Sequence, residues 1–481
     1  MPQTPFHPGQ RIFACVLGCV LTMNQPLNAS ESHESSTVRG AERQVTHGPG
    51  GRILTNTGVW SPDSRWLVYD VRSDPAGDVF DSPRIEAVNV ETSEVKVLYT
   101  AENGACCGVV THHPHLPLVV FILGPEHPDD DWRYAPNHRQ GVVIDTRVPH
   151  LFTRLDARDL TAATPGALRG GTHVHVWDAA GEWVAFTYND AIAEPGLRDI
   201  GIAVPGHPVV VPPNHPRNHS GEWFSALVTQ TVPAPAPDSD EIKRANEEGW
   251  IGTDGYLRKD GSRQRRAIAF QGQLVTAEHG DVTEVFIVDL PEHLPASATL
   301  PATLSPTGRL QPLPEARQRR LTRTTGRRYP GIQGTRHWLR SSPDGSRIAF
   351  LAKDDSGIVQ IWTVSPATGE TTQLTHNTAD ISSAFTWSPD GRWIAHGLKG
   401  EVCLTDTQTG ATHPIEDRSS PNESRHQHPA KNVTGDDVGS LMMRKEACVF
   451  SPDGSRIAFV RSGKTSVGTT NQICVIELKA E

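Results

Sequence analysis

The sequence has no apolar run after residue 25 that approaches the ~20 residues needed to cross a bilayer. It also has no excess of positive charge, because 45 Lys and Arg are outnumbered by 55 Asp and Glu and the net charge is −10. That balance argues against a nucleic-acid binder, which needs a concentrated basic surface. Hydrophobic residues still make up 36% of the 481 residues, enough for a buried core. We expect a folded protein that neither spans a membrane nor binds nucleic acid.

Several enzyme signatures are missing as well. The sequence contains no GxSxG elbow, no Walker loop, no HExxH and no GxGxxG within a strand–helix–strand unit. The enzyme classes that depend on those motifs are therefore disfavoured. Of its seven cysteines, two lie before residue 20 and five are scattered without a CxxC pair. Such a set is not a disulfide framework, so we expect buried free thiols.

The N-terminus has the pattern of a secretory signal peptide. An apolar stretch at 12–23 is too short to span a membrane, and Ala29 supplies a small residue for cleavage. We predict a signal peptide at 1–29, a linker at 30–42, and a protein that is periplasmic or secreted. The alternative, a lipid anchor on Cys19, is less favoured because a bulky leucine stands where a lipobox has a small residue.

The remainder of the chain is a repeat rich in turn residues. Its 42 glycines and 38 prolines exceed the usual share. A phrase close to Trp-Ser-Pro-Asp-Gly, followed by an alternating apolar strand, recurs at 60–69, 112–121, 177–186, 257–270, 341–350, 387–396 and 450–459. Each copy predicts a strand, a tight turn and a second strand, with two more strands before the next copy. Seven copies predict an all-β, seven-bladed β-propeller, in which the repeated serines are turn residues and not nucleophiles.

The predicted propeller occupies 43–481 and closes on itself. The last repeat lacks a fourth strand at its C-terminal end, whereas the segment 43–47 matches the fourth-strand phrase at 373–376. We therefore expect the N-terminal strand to complete the last blade, which also removes an open sheet edge.

Two polar insertions interrupt the blades. The first, at 232–262, contains an acidic stretch at 238–241 that predicts a short capped helix. This helix can cover the channel mouth, where Glu241 would touch a ligand as a candidate catalytic residue, or it can pack locally. The second, at 417–440, is rich in Ser, Asn and His without an apolar period, and we expect a surface loop there.

The blades resemble those of TolB and related bacterial propellers. Longer stretches resemble the uncharacterised YidR-like family, namely 50–72, 168–190, 239–250, 330–345 and 358–391. The resemblance runs from residue 45 to the C-terminus and includes the first insertion. It implies a TolB-like propeller to which no activity is assigned. The export signal and the His-rich loop at 417–440 depart from the family pattern.

The innermost strand of each blade lines the channel, and side chains two residues apart in a strand share a face. Alignment on the Ser-Pro turn places one residue of five innermost strands at the same register, namely Asn56, His173, His337, Ser383 and Glu446. His175 is expected to point the same way as His173. Three imidazoles and a carboxylate on one axis suit Mn, Fe or Zn. One interpretation is therefore a divalent metal site formed by His173, His175, His337 and Glu446.

A more distant resemblance is to the oligogalacturonide lyases, seven-bladed propellers with a divalent metal, typically manganese, held by three His and one Gln. His173 and His175 match the His-x-His pair of that family, which implies a ligand role for both. The family's Gln falls on Gly170 here, and Gln333 is the candidate replacement. The resemblance implies a metal that acidifies the α-proton of a uronate. Arg336 would neutralise the anionic substrate.

Two functions stay open at this point. The first is an exported binding propeller whose faces dock an envelope protein or a glycan. The second is a metal-dependent lyase that acts on an acidic oligosaccharide. A simpler alternative is a polar channel that holds water and packed histidines without any chemistry, because fold does not fix function. We expect a monomer in each case.

Overall fold

The computed structural model describes residues 39–54, 58–194, 196–295, 304–417, 443–465 and 468–478. Within these ranges the chain forms β-strands and loops, with one 3₁₀ turn at Pro136–His138 and no α-helix. No described helix is therefore long and apolar enough to cross a membrane. The predicted signal peptide at 1–29 and the loop at 418–440 lie outside the described residues.

Seven sheets of four or five strands follow one another along the chain, and the sequence prediction of a seven-bladed β-propeller is confirmed. The N-terminal strand is β1 (Arg39–Gln44). Blade 1 contains β2 (Gly51–Ile53), β3 (Trp66–Arg72), β4 (Arg84–Asn89) and β5 (Val95–Thr100). Blade 2 contains β6 (Cys107–His112), β7 (Leu118–Leu123), β8 (Gln140–Asp145) and β9 (Phe152–Arg154), and a small parallel pair follows, β10 (Ala157–Arg158) and β11 (Ala167–Leu168).

Blade 3 contains β12 (Gly170–Trp177), β13 (Val184–Asp190), β14 (Asp199–Val204) and β15 (Phe224–Leu227). Blade 4 contains β16 (Arg244–Trp250), β19 (Ala267–Thr276), β20 (Gly280–Asp289) and β21 (Arg317–Arg320), with a hairpin of β17 (Tyr256–Leu257) and β18 (Arg263–Gln264) between its first two strands. Blade 5 contains β22 (Arg340–Ser341), β23 (Ile348–Lys353), β24 (Val359–Val364) and β25 (Thr371–Gln373).

Blade 6 contains β26 (Thr386–Trp387), β27 (Trp393–Leu398), β28 (Glu401–Asp406) and β29 (Thr412–Pro414), followed by the short β30 (Glu416–Asp417). Blade 7 contains β31 (Met443–Phe450), β32 (Arg456–Thr465) and β33 (Gly468–Leu478), with β1 on its outer side and β30 beyond β1. In blades 1 to 6 the first strand in the chain forms the edge of the sheet that faces the channel, and β31 takes this place in blade 7.

The repeated Ser-Pro-Asp phrase builds the turn between the first and second strands. In blade 5, Oγ of Ser342 donates to Oδ1 of Asp344 at 2.5 Å and accepts from the amide of Arg347 at 3.1 Å. In blade 7, Oγ of Ser451 donates to Asp453 at 2.6 Å in the same way. The serine hydroxyl and the aspartate carboxylate both form hydrogen bonds within the turn. The prediction that these serines are turn residues is therefore confirmed.

The N-terminal strand completes the last blade, as the sequence predicts. β1 pairs antiparallel with β33. Just after β1, Oγ1 of the buried Thr46 accepts a hydrogen bond from the amide of Ile473 at 2.9 Å. In blade 5, Oγ1 of Thr375 accepts from the amide of Ile361 at the same distance. The chain's first strand therefore forms the outer strand of blade 7 with the contacts of an ordinary fourth strand.

The hydrophobic core is divided into seven layers, one between each pair of neighbouring blades. One of these layers joins Trp60 and Leu67 of blade 1 to Val449 of blade 7, so the circle is closed by packing. Tryptophans near the turns add hydrogen bonds between blades. Their indole N–H groups donate from Trp60 to Val449, from Trp250 to Val176 and from Trp387 to Arg340, at 3.1, 2.9 and 3.0 Å to each backbone oxygen.

The short helix predicted at 238–250, with 238–241 as its cap, is wrong. Residues 238–243 form a loop, and Arg244–Trp250 form the innermost strand of blade 4. Ala245 on this strand packs in the core between blades 3 and 4. Pairing with β19 satisfies the backbone groups that a helix would otherwise satisfy internally. Tertiary packing thus overrides the local helix signal, and no helical lid forms from this insertion.

Candidate functional site

The innermost strands of blades 2, 3 and 4 share a bulge at the same place. The left-handed residues there are Val109, Val174 and Glu247, with φ of 57°, 53° and 54°. The pairing register shifts around each of them. A β-branched residue in this region of φ is strained, and an inserted bulge residue re-aims its neighbours. Three adjacent blades therefore hold distorted backbone at one level of the channel.

The bulge at Val174 separates the two histidines expected to share a face. Nε2 of His173 donates to Oδ1 of Asn189 at 2.9 Å. Nε2 of His175 lies instead 3.0 Å from Oγ1 of Thr172. Both rings are buried, and burial lowers the pKa of His175 to about 3. Simple two-residue alternation does not hold across the bulge, and the rings bind different partners.

His337 is held by backbone groups. Its Nδ1 donates to the carbonyl oxygen of Thr335 at 2.8 Å, and its Nε2 accepts from the amide of Leu351 at 3.1 Å. The ring lies 5.6 Å from that of Phe385 in blade 6. Burial lowers its pKa to about 4, so the imidazole is uncharged near neutrality. Both nitrogens are used, and neither is left to bind a metal.

Among the residues that the structure describes, the predicted ligands do not form a metal centre. No group of three or more His, Cys, Asp or Glu able to hold a metal occurs in the described ranges. Nε2 of Gln333 donates to the carbonyl oxygen of Pro330 at 2.8 Å. The side chain of Glu446 and the whole of Asn56 lie outside the described residues, so their ligand roles stay predictions. The structure does not bring His173, His175 and His337 together as one ligand set.

The two candidate catalytic residues lie in different contact networks. Nε of Arg336 donates to Oε1 of Glu247 at 2.9 Å, and its guanidinium lies 4.6 Å from the ring centre of Trp338. Glu241 is exposed, and its Oε2 accepts from the amide of Ala236 at 2.8 Å within the loop before β16. Arg336 thus faces the level of the bulges, whereas the described contact of Glu241 is to its own loop.

An arginine that the sequence prediction missed lies against His173. Nη1 of Arg139 donates to Nδ1 of His173 at 3.2 Å. Its guanidinium lies 5.1 Å from the ring centre of Phe80 and 4.8 Å from that of Tyr134. The Nε–H of Arg139 is buried and has no acceptor among the described residues. Burial lowers the pKa of Arg139, although a guanidinium stays charged at any physiological pH.

A second missed arginine approaches from blade 3. Nε of Arg198 donates to Oδ1 of Asn189 at 3.2 Å, the same oxygen that His173 contacts. The side-chain amide of Asn189 donates to the carbonyl oxygen of Leu197 at 2.7 Å, which fixes its orientation. Burial, followed by the charge of Arg244, lowers the pKa of Arg198 to about 10. In the part of the chain that is described, neither Arg139 nor Arg198 has a carboxylate within ion-pair distance.

These residues of neighbouring blades lie near one another, and the charge of Glu247 acts on the guanidinium of Arg198. Trp338 packs with Val109 and Val174, and Phe80, whose ring centre lies 5.1 Å from the guanidinium of Arg139, packs against the same apolar group. We name the set the channel arginine cluster; it consists of Phe80, Arg139, His173, Asn189, Arg198, Glu247, Arg336 and Trp338. It holds three guanidinium groups and one carboxylate. The buried indole N–H of Trp338 also has no acceptor among the described residues.

The position of the cluster follows from the topology. Arg139 and Arg198 each stand immediately before the third strand of their blade. The Ser-Pro-Asp turns join the first and second strands, and the ends of adjacent antiparallel strands alternate between faces. The cluster therefore lies toward the face opposite those turns. Unpaired N–H donors and positive charge converge there, an arrangement suited to an anion.

The face that carries the Ser-Pro-Asp turns has a wide funnel of about 580 Å³. All seven blades contribute to its wall, which includes Trp60, Trp177, Trp250 and Trp387. Three of these tryptophans use their indole N–H groups to join blades. Their role in packing agrees with their recurrence at equivalent blade positions.

Comparison with known proteins identifies relatives without an assigned activity. A family described only as a protein of unknown function (DUF3748) matches residues 106–219. The uncharacterised protein YidR of Escherichia coli (strain K12) is 43% identical over 442 residues, which cover 90% of this chain and 98% of that protein.

Solved structures with a similar course of the chain include an oligogalacturonate lyase in complex with manganese. It is 12% identical, with 92% of this chain and 98% of that chain covered and a TM-score of 0.48. TolB from Acinetobacter baumannii is also 12% identical, with 92% and 80% covered and a TM-score of 0.35. At this low sequence identity and TM-score, neither structure is evidence for what the present chain binds.

Proposed function

The chain belongs to the YidR family, and we propose that this propeller binds an acidic glycan, with a ligand carboxylate held by the channel arginine cluster. The observation that carries the proposal is the pair Arg139 and Arg198. Both are partly buried, both are fixed by His173 and Asn189, and neither has a carboxylate within ion-pair distance in the described ranges. A ligand carboxylate would supply the missing negative charge and accept the unused donors.

The energetics favour a bound anion. Positive charge that is withdrawn from water without a partner costs free energy. Burial lowers the pKa of both Arg139 and Arg198, which reflects that cost. Since a guanidinium does not lose its proton near neutrality, the cost is relieved by an anion and not by deprotonation. The cluster is thus preorganised for a carboxylate before the ligand arrives.

Aromatic side chains support a sugar over a small inorganic anion. The rings of Phe80 and Tyr134 stack 5.0 Å apart beside Arg139, and Trp132 stacks on His138 at 3.7 Å in the same loop. All three aromatic residues are partly exposed. Ligand sites commonly combine aromatic walls with a few oriented polar groups. A uronic acid offers an apolar ring face and a carboxylate, which suits both features.

The proposed place of action is the periplasm or the exterior of the cell. The support is the apolar stretch at 12–23 and the small residue Ala29 in the sequence. An acidic glycan of the cell surface or surroundings would be accessible to a protein exported in this way. The sequence also allows docking of an envelope protein. If no acidic glycan binds, that partner becomes the favoured one.

Calorimetric titration tests the proposal. Trigalacturonate should bind the mature protein, whereas maltotriose, a neutral trimer, should not bind. Arg139→Gln should weaken the binding of trigalacturonate at least ~10-fold, because a charge-assisted hydrogen bond is lost. The matched control is Arg147→Gln, which removes an exposed arginine just after β8, whereas Arg139 stands just before that strand.

The control should bind as the wild type does, because within the described ranges Arg147 pairs only with Asp145, 2.6 Å away at the surface. Equal binding of trigalacturonate and maltotriose would contradict the proposal. So would wild-type affinity in a folded Arg139→Gln variant, or the absence of binding by uronides of any kind.

A further inference from the structure

A further arginine, Arg244, extends the positive charge beyond the cluster. Arg244 begins β16, and the amide of Ala245 beside it donates to the carbonyl oxygen of Arg198 at 2.8 Å. The backbones of Arg198 and Arg244 thus lie side by side as an isolated parallel bridge. The charge of Arg244 contributes to lowering the pKa of Arg198. Two like charges are therefore neighbours across the boundary between blades 3 and 4.

Arg244 opens onto a cavity of about 580 Å³ at this boundary. The cavity is lined by Glu194, Gly196, Leu197, Pro233, Lys243, Arg244, Gln273 and Asp281. Leu197 also borders the channel arginine cluster, because its carbonyl oxygen accepts from the side chain of Asn189. The cavity and the cluster are therefore adjacent, with Leu197 between them.

The acidic residues of this cavity are already paired. Asp281, near the start of β20, pairs with Lys243, the residue just before β16. Glu194 faces Arg309 at 3.6 Å. Among the described residues, the guanidinium of Arg244 has neither a carboxylate nor a side-chain hydrogen bond. Among the described residues of the cavity, Arg244 therefore carries the charge that is left to pair with a ligand.

We infer that Arg244 and this cavity form a second carboxylate subsite, so that the ligand of this protein is an oligomer of acidic sugars that spans from Arg139 and Arg198 to Arg244. The inference rests on the proposed function of the cluster. A single carboxylate relieves the charge near Arg139 and Arg198 but leaves Arg244 unpaired. A chain with a carboxylate on each sugar neutralises all three arginines, and each added contact lowers the dissociation constant.

The length dependence of binding tests this inference without any substitution. Galacturonate, digalacturonate and trigalacturonate are titrated into the wild-type protein by calorimetry. Affinity should rise at least ~10-fold from the monomer to the longer oligomers, because a second charge-assisted contact forms. Equal affinity per mole for all three would overturn the second subsite while leaving the first intact. No binding of any uronide would instead overturn the proposed function itself.

Substitution then locates the subsite. Arg244→Gln should remove the advantage of the oligomers over the monomer and leave binding of galacturonate unchanged, whereas Arg139→Gln should weaken all three ligands. Arg317→Gln serves as the control, because Arg317 is exposed at the start of β21 on the outer side of the same blade. An Arg244→Gln variant with wild-type melting temperature and the full length dependence would overturn the inference.

Discussion

Nη1 of Arg139 lies 3.2 Å from Nδ1 of His173, and this contact fixes the state of the imidazole. Since a guanidinium only donates, Nδ1 of His173 accepts, and the ring proton lies on Nε2, where it is donated to Asn189. Burial, followed by the charges of Arg139 and Arg198, holds the pKa of His173 well below its usual range. The ring is therefore a neutral bridge that orients Arg139, and its nitrogens are not available to a metal.

Two buried histidines should behave differently when replaced by phenylalanine. His173→Phe should weaken binding of trigalacturonate at least ~10-fold, because Arg139 loses the acceptor that orients it. His337→Phe should cost ~1–3 kcal/mol of stability, because the carbonyl of Thr335 and the amide of Leu351 lose their partner, and binding should be preserved. Urea unfolding and calorimetric titration check both variants. Loss of binding in a folded His337→Phe variant, with none in His173→Phe, would contradict this assignment.

Metal content separates the binding account from the metal-dependent alternative. Elemental mass spectrometry of the mature, untagged protein should find well below one Mn, Fe or Zn per chain. The reason is that both nitrogens of His173 and of His337 are engaged by other groups. The double variant His173→Ala/His175→Ala should have the same metal content. About one metal per wild-type chain, lost in the double variant, would contradict the prediction and restore the histidine site.

The closure of the ring predicts equal roles for two threonines in different blades. Thr46 of the N-terminal segment and Thr375 of blade 5 each accept a backbone amide at 2.9 Å from a buried position. Thr46→Val and Thr375→Val should each cost ~1–2 kcal/mol in urea unfolding, because a buried amide loses its acceptor. The double variant should be near the sum of the two. A neutral Thr46→Val beside a costly Thr375→Val would mean that the first strand is not a normal part of blade 7.

A buried carboxyl predicts a specific pH dependence of stability. Glu248 is fully buried, and neither of its side-chain oxygens has a hydrogen-bond partner in the described ranges. Burial, followed by the charge of Glu247, raises its pKa to about 8 against the opposing charges of Arg198 and Arg340. Between its unfolded pKa and pH 8 the native state therefore holds a proton that the unfolded state has released. Its contribution to stability consequently falls as pH rises through this window.

Glu248→Gln removes that titration and keeps the shape of the side chain. At pH 5 the variant and the wild type should be close in stability. By pH 8 the variant should exceed the wild type by more than ~1 kcal/mol, because the wild type must then ionise a buried group or keep its proton. Urea unfolding at a series of pH values measures the difference. A gap that stays constant with pH would show that Glu248 titrates normally.

The fold was predictable from the sequence because its signals are local and repeated. The turn at Ser342 and the strand that leads to Thr46 each follow from a phrase that occurs elsewhere in the chain. The exception is β16, where an acidic segment with a helix signal gives way to sheet packing through Ala245. A local signal failed there because the deciding contacts come from another blade.

The candidate site was only partly predictable. Register on the Ser-Pro turn led to His173 and His337, and Arg336 was a candidate beside His337. Of these, His173 and Arg336 lie in the channel arginine cluster. Arg139 and Arg198 were missed because they come from loops of different length that have no repeated phrase. Their shared place before a third strand was the available signal. The bulge at Val174 could not be foreseen, since a β-branched residue seldom adopts positive φ.

The most direct test of the account is the affinity of Asn189→Asp for trigalacturonate, measured by calorimetry beside the wild type. Asn189 already contacts His173 and Arg198 through Oδ1, so the substitution changes one amide to a carboxylate at almost constant shape. The new carboxylate would pair with Arg198 and so compete with the carboxylate of the ligand. We predict a folded protein whose binding of trigalacturonate is at least ~10-fold weaker than that of the wild type. Unchanged or tighter binding would contradict the claim that the arginines of this cluster hold the ligand.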